Sequence, residues 1–138
     1  MSRILAIDYG VKRTGLAVTD PLQIIATPLD TVSTDILLPY LEKYLEQQNV
    51  ECFVVGDPKN LNNTPSQVSA TINKFIEALK KRFPFIPVKR IDERFTSKMA
   101  QQTILAAGKN KKARRDKSLL DKVSAVILLQ SYLQTIKK

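Results

Sequence analysis

The stretch RILAID, residues 3–8, constrains the fold more than any other part of the chain. Four consecutive apolar residues, Ile4 to Ile7, leave an extended strand with no polar face. Such a strand is buried on both sides and belongs near the centre of a sheet covered by helices. Asp8 then stands where this strand runs out. In open α/β sheets that edge is where ligands approach. A carboxylate there can simply cap a turn through its own backbone, or it can serve partners supplied by distant segments.

The remaining pattern agrees with a helix-covered sheet. Gly10 to Arg13 reads as a tight turn and Thr14 to Thr19 as a second strand, with Gly10 letting the chain turn closely beside Asp8. Asp20-Pro21 breaks that strand, and Gln23 to Leu29 reads as a third. Asp35 to Gln48 carries a helical stripe of Ile36, Leu37, Tyr40, Leu41, Tyr44 and Leu45, with Pro39 near its first turn. Glu51 to Val55 is a short buried strand ending at Gly56. The polar loop GDPKNLNNTPS leads to a helix over 67–82, with Val68, Ile72, Phe75, Ile76 and Leu79 on one side. Val88 to Ile91 is a further strand. Thr96 or Ser97 caps a helix running to Ala107 and closed by Gly108. Ser118 to Gln134 is the last helix, with Leu120, Val123, Ile127 and Leu133 as core contacts.

The order is therefore βββ-α-β-α-β-α-α. Strands joined by short turns start antiparallel, and strands separated by helices pair in parallel through right-handed crossovers. The expected fold is α/β, a single domain over 1–138 with one mixed central sheet flanked by helices.

Composition narrows the class of function. No apolar run approaches the roughly 20 residues that span a bilayer, and no signal-peptide pattern opens the chain, which points to a cytoplasmic protein. With no histidine and one cysteine, a structural zinc site is excluded, and Cys52, before Phe53-Val54-Val55, reads as a small buried hydrophobe. The 22 basic residues outnumber 13 acidic ones, a net +9 that favours polyanionic partners. Lys109 to Lys117, KNKKARRDK, holds six bases against one acid and so concentrates more than half of that excess.

Acids sit at three element ends. Asp8 closes the first strand. Asp92 and Glu93 end the strand VKRID, which should finish on the same side of the sheet; alternation sends them in opposite directions, and periodicity does not choose between them. Asp121 lies in the first turn of the last helix, in line with Ala125, Leu128 and Tyr132 at helical spacing, and with small neighbours Ser124 and Ala125 that permit close approach to the sheet. An acid in a first turn is also favoured by the helix dipole alone. Bringing three carboxylates together is unfavourable unless a cation neutralises them or they take up protons. Oxygen ligands without soft partners suit Mg²⁺ or Mn²⁺, as one ion or as a pair about 3.5–4 Å apart.

Asp8-x-Gly10 followed by Arg13-x-Gly15, GDP at 56–58, Asp92-Glu93-Arg94-x-Thr96-Ser97, and Asp121 in LLDKVSAVILLQSYL together resemble the YqgF/RuvX family over essentially the whole chain. The resemblance implies an RNase H-like fold and a metal-dependent nuclease that matures the 5′ end of precursor 16S ribosomal RNA; the same family has been linked to Holliday junction resolution. It implies Asp8, Glu93 and Asp121 as the catalytic and metal-holding acids. Asp92, Arg94, Gly10, Arg13 and Thr96 would be in support. Two departures concern the loop after Gly56: Asn63 stands where a glycine is common, and Asp57 where many members are apolar.

The nucleic-acid grip is expected from Lys12, Arg13 and Lys59, and from Lys109, Lys111, Lys112, Arg114, Arg115 and Lys117 of the basic stretch. No aromatics interleave with that stretch, so phosphate contact is favoured over base stacking there. The leading expectation is cleavage of structured RNA by a monomer or weak dimer. Branched DNA is the alternative substrate, and a non-catalytic RNA-binding assembly factor is the alternative class. A nucleotide phosphotransferase is disfavoured, since no second lobe or second glycine-rich loop is present to close on ATP.

Overall fold

The computed structural model describes residues 2–57, 67–92 and 117–136. The strands are β1 (Arg3–Asp8), β2 (Arg13–Thr19), β3 (Ala26–Ser33), β4 (Val50–Asp57) and β5 (Val88–Asp92). The helices are α1 (Leu37–Gln47), α2 (Gln67–Arg82) and α3 (Lys117–Ile136), with a 3₁₀ turn at Thr34–Ile36 ahead of α1. The five strands form one sheet in the order β3-β2-β1-β4-β5. β1 is antiparallel to β2 and parallel to β4; β2–β3 is antiparallel and β4–β5 parallel. β1 is the middle strand, as its unbroken apolar run requires, and Ile4 to Ile7 are essentially inaccessible to solvent.

Alternation along β1 divides the core in two. Leu5 and Ile7 join Leu16, Phe53 and Val55 beneath Leu37 and Leu41 of α1 and Ile72, Phe75, Ile76 and Leu79 of α2. Ile4 and Ala6 join Ala17, Cys52 and Val54 beneath Ala125, Leu128, Leu129 and Leu133 of α3. The second layer is built on small residues: Ala6, Ala17 and Ala125 are all fully buried, which lets α3 lie close to the sheet. The apolar stripe expected on the 67–82 helix is buried at Ile72, Phe75, Ile76 and Leu79. Cys52 is buried as expected, and burial pushes its thiol pKa up.

Three elements differ from the sequence expectation. β3 runs Ala26–Ser33 instead of Gln23 to Leu29. Asp20 intercepts the chain first: its Oδ1 accepts the backbone N–H groups of Ile24 and Ile25, each at 2.8 Å, and Gln23 adopts a left-handed φ of 60°. Those amides are therefore lost to a ladder, and Ile24 and Ile25 stay exposed. In the first helix, Pro39 cannot donate to the carbonyl of Asp35, so the α ladder starts at Leu37 and the preceding turn is 3₁₀. Ile36 consequently falls out of the stripe and is exposed. In α3 the sheet contacts come from Ala125, Leu128, Leu129 and Leu133, while Val123 is only half-buried and Leu120 falls outside the described side chains. The helix expected from Thr96 or Ser97 to Ala107 also lies outside the described residues.

Overpacking tests the close α3 contact. Ala125→Leu is expected to lower unfolding stability by about 1–3 kcal/mol in urea titrations, because the alanines opposite leave no room for an isobutyl group.

Candidate active site

The parallel strands β1, β4 and β5 all point their carboxyl ends to one edge, and each ends in an acid: Asp8, Asp57 and Asp92. In the ladders Asp8 lies opposite Gly15, Ile7 opposite Val55, and Asp57 opposite Asp92. Sharing an edge does not mean sharing a face. Asp8 continues the Ile4–Ala6 row and so belongs to the α3 side of the sheet. In β5, Ile91 packs on the α3 side and Val88 on the other.

The direction of α3 brings Asp121 to the same end as Asp8. Cys52 Sγ, beside Ile4 near the start of β1, lies 4.0 Å from Tyr132 Oη. From there the helix runs back along β1, and the 11 residues to Asp121 rise about 16 Å. The four residues from Ile4 to Asp8 rise about 13 Å. The two positions therefore stand at similar heights above the sheet's lower end. Asp121 sits one turn before fully buried Ala125, on the row that includes Leu128.

The turn after Asp8 is held by a closed ring of hydrogen bonds. Thr34 Oγ1 donates to the Gly10 carbonyl at 2.6 Å, and the two threonine hydroxyls of Thr14 and Thr34 are 2.9 Å apart. The Gly10 N–H faces Thr14 Oγ1 at 3.5 Å. One proton arrangement satisfies all three: Gly10 N–H to Thr14, Thr14 O–H to Thr34, and Thr34 O–H to Gly10. The Thr34 N–H also donates to the Lys12 carbonyl at 3.0 Å. A Cβ at Gly10 would come within 2.2 Å of the Arg13 carbonyl oxygen, so this turn requires glycine for space. The ring was not legible in the sequence, because Thr14 and Thr34 are twenty positions apart and β3 closes the loop between them.

Lys12 and Arg13 are exposed on this turn, directly after Asp8. Lys117 opens α3. Glu93, Arg94, Thr96, Lys59, Lys109, Lys111, Lys112, Arg114, Arg115 and Asn63 lie outside the described residues. Among the described residues no three His, Cys, Asp or Glu side chains form a cluster able to hold a metal. No helix among them is long and apolar enough to cross a membrane.

The family model described as "RuvX: Holliday junction resolvase" matches residues 2–135. The chain belongs to the RuvX family. Two RuvX relatives illustrate the likeness. A protein of Porphyromonas gingivalis is 57% identical over 133 residues, covering 96% of each chain. One from Christiangramia forsetii is 52% identical over 133 residues, covering 96% of this chain and 98% of its own. Both carry the name "Putative pre-16S rRNA nuclease". Among solved structures, the RuvX chain resembles the fowlpox virus resolvase in complex with Holliday junction DNA, at a TM-score of 0.59 and 18% identity, with 99% of each chain covered. It also resembles T. thermophilus RuvC bound to a Holliday junction substrate, at 0.58 and 18%, with 98% of each covered. At that identity the likeness concerns the fold, which is RNase H-like.

Gly10→Ala is expected to destabilise the protein by about 1–3 kcal/mol, read from denaturant unfolding, because the added methyl meets backbone and not a movable side chain.

Proposed function

We propose that this RuvX chain is a metal-dependent endonuclease acting on structured RNA, with the 5′ end of precursor 16S ribosomal RNA as its substrate. The observation that supports the proposal is the placement of Asp8 on the α3 side of the central strand's carboxyl end, with the amino-terminal part of α3, which includes position 121, directed toward the same rim. Family membership and the names of relatives about half identical in sequence support the choice of nuclease and of substrate.

The donor set fits a hard divalent ion. The protein has no histidine, and its one cysteine is buried in the core near the opposite end of β1, so carboxylate oxygens are the ligands available at this edge. Asp8, Glu93 and Asp121 would hold Mg²⁺ or Mn²⁺, one or two ions. The family resemblance supports Glu93 over Asp92 as the acid after β5. When bound, such an ion lowers the pKa of an attacking water and stabilises charge building on the phosphodiester.

The protein's own contribution is placement. The Thr14–Thr34–Gly10 ring holds the turn that follows Asp8, so its carboxylate is delivered from a rigid strand end. Lys12 and Arg13 stand next along the chain, where they would hold the substrate backbone beside the acids. Lys59 and the basic stretch from Lys109 to Lys117 would add phosphate contacts, with Asp92, Arg94 and Thr96 bracing the acid after β5.

Asp8→Asn, Glu93→Gln and Asp121→Asn are each expected to cut Mg²⁺-dependent cleavage of a precursor 16S fragment by about 100-fold or more, with RNA binding retained. Wild-type turnover by all three would end the proposal. If four cations of the basic stretch engage phosphate, the slope of log K against log salt is about −3 to −4, and their neutralisation flattens it.

The family description favours a second substrate, the four-way DNA junction. Symmetric junction cleavage needs two sites in a dimer, and side-by-side cleavage of junction DNA and precursor RNA separates the two substrates. Tight RNA binding without metal-stimulated hydrolysis would favour an assembly factor instead.

A further inference from the structure

On the α1/α2 side of the sheet, a cleft of about 390 Å³ opens beside Tyr9. That volume lies within the roughly 300–1,000 Å³ range of small-ligand sites. Tyr9, the residue after Asp8, forms part of its wall and stacks on Phe75 of α2, with ring centroids 4.7 Å apart and planes 25° from parallel. Thr34 and Asp35 line it from the 3₁₀ turn, and Lys74 and Arg82 from α2. Arg82 is already engaged by Glu42, which leaves Lys74 as the principal cation among the described residues of the cleft. The Ser33 hydroxyl donates to Asp35 and holds its carboxyl below the usual range, so an anionic acceptor is fixed at the rim.

An aromatic wall, a fixed carboxylate acceptor and one available cation make an uneven set for a polyphosphate, since Asp35 would repel it. The set suits a nucleobase whose N–H groups need an acceptor, with a single phosphate attached. Its location selects the source. Asp8 ends β1 on the α3 side, and Tyr9, the residue after the strand, packs against the α1/α2 core, so the two lie on opposite faces at the same edge. A strand crossing that edge would meet the acids on one side and Tyr9 on the other.

We propose that this cleft is a nucleotide subsite: it takes one unpaired nucleotide of the substrate strand, adjacent to the phosphodiester held at Asp8. The base lies against Tyr9 with its N–H edge toward Asp35, and its phosphate is met by Lys74. The subsite rests on the nuclease proposal and deepens it, since it requires the strand to be unpaired beside the cleavage point. Thr34 contributes to both sides, lining the cleft while it donates to the Gly10 carbonyl.

The test uses the full chain in EDTA with a fluorescein-labelled single-stranded RNA 12-mer and the same 12-mer as a blunt duplex, read by anisotropy. Tyr9→Ala is expected to weaken the single strand about 5- to 100-fold, the range for loss of one base–aromatic stack, and to leave duplex affinity unchanged. Lys74→Ala, on the exposed surface of α2, is expected to weaken the single strand several-fold. Tyr9→Trp, in a chain without tryptophan, is expected to show emission quenched by the single strand only. Wild-type single-strand affinity in both Tyr9→Ala and Lys74→Ala overturns the subsite, as does equal loss for single strand and duplex. Should Tyr9→Ala fail to fold, the Lys74 and Trp variants decide. Cleavage that survives these null results leaves the nuclease proposal intact, whereas Tyr9-dependent binding without any metal-stimulated cleavage keeps the subsite and ends the nuclease.

Discussion

The structure depends on β1 being buried on both faces. A strand with Leu5 and Ile7 in one core and Ile4 and Ala6 in the other cannot lie at a sheet edge. It must have β2 on one side and β4 on the other, and helices above and below. Once β1 is central, its carboxyl end is the middle of the sheet's upper rim, and any polar residue there is within reach of loops from both halves. Asp8 is that residue. Its half-buried position and its opposite number, Gly15 of β2, follow from the same ladder.

The second constraint is the thinness of the layer under α3. Ala6, Ala17 and Ala125 bring a helix against the middle of the sheet without a large side chain between them. A helix seated this way over β1, β2 and β3 is positioned along its length by packing, with Tyr132 near Cys52 at one end. Its amino end is thereby carried to the rim without any contact being needed there. The helix begins at Lys117, so Asp121 falls in its second turn and not the first as the sequence suggested. Apolar contacts deeper in the protein direct that end of the helix toward the rim. This separates the forces that fold the domain from the charged groups proposed to do its chemistry. Mutual repulsion among the acids, which would weigh against folding, is confined to the rim.

The rim has two sides with different chemistry. The α3 side carries Asp8, the described member of the acid set proposed above to hold a hard cation. Among the described residues, the α1/α2 side carries an aromatic pair, hydroxyls and the Lys74 cation, the set proposed above to take a base and its phosphate. The glycine turn joins them: Tyr9 and Gly10 lie between Asp8 and Lys12, and the threonine ring ties this turn to the start of α1. Substrate contact on either side would be felt by the same few backbone atoms.

Much of this was legible in the residues. Central β1, the antiparallel hairpins, the parallel crossovers, the buried stripe of α2 and the ordered motifs that resemble the RuvX family are local patterns, and apolar periodicity or motif spacing reports them directly. The errors were also local but polar in origin. Asp20 took the amides of Ile24 and Ile25 and displaced β3, and Pro39 denied Asp35 its α-helical donor and shortened α1. Only the tertiary structure decided that Asp8 takes the α3 face, how α3 seats on the sheet, and that Thr14 and Thr34 close a ring on Gly10. Those depend on the register between segments tens of residues apart, and no single segment encodes the packing that sets it.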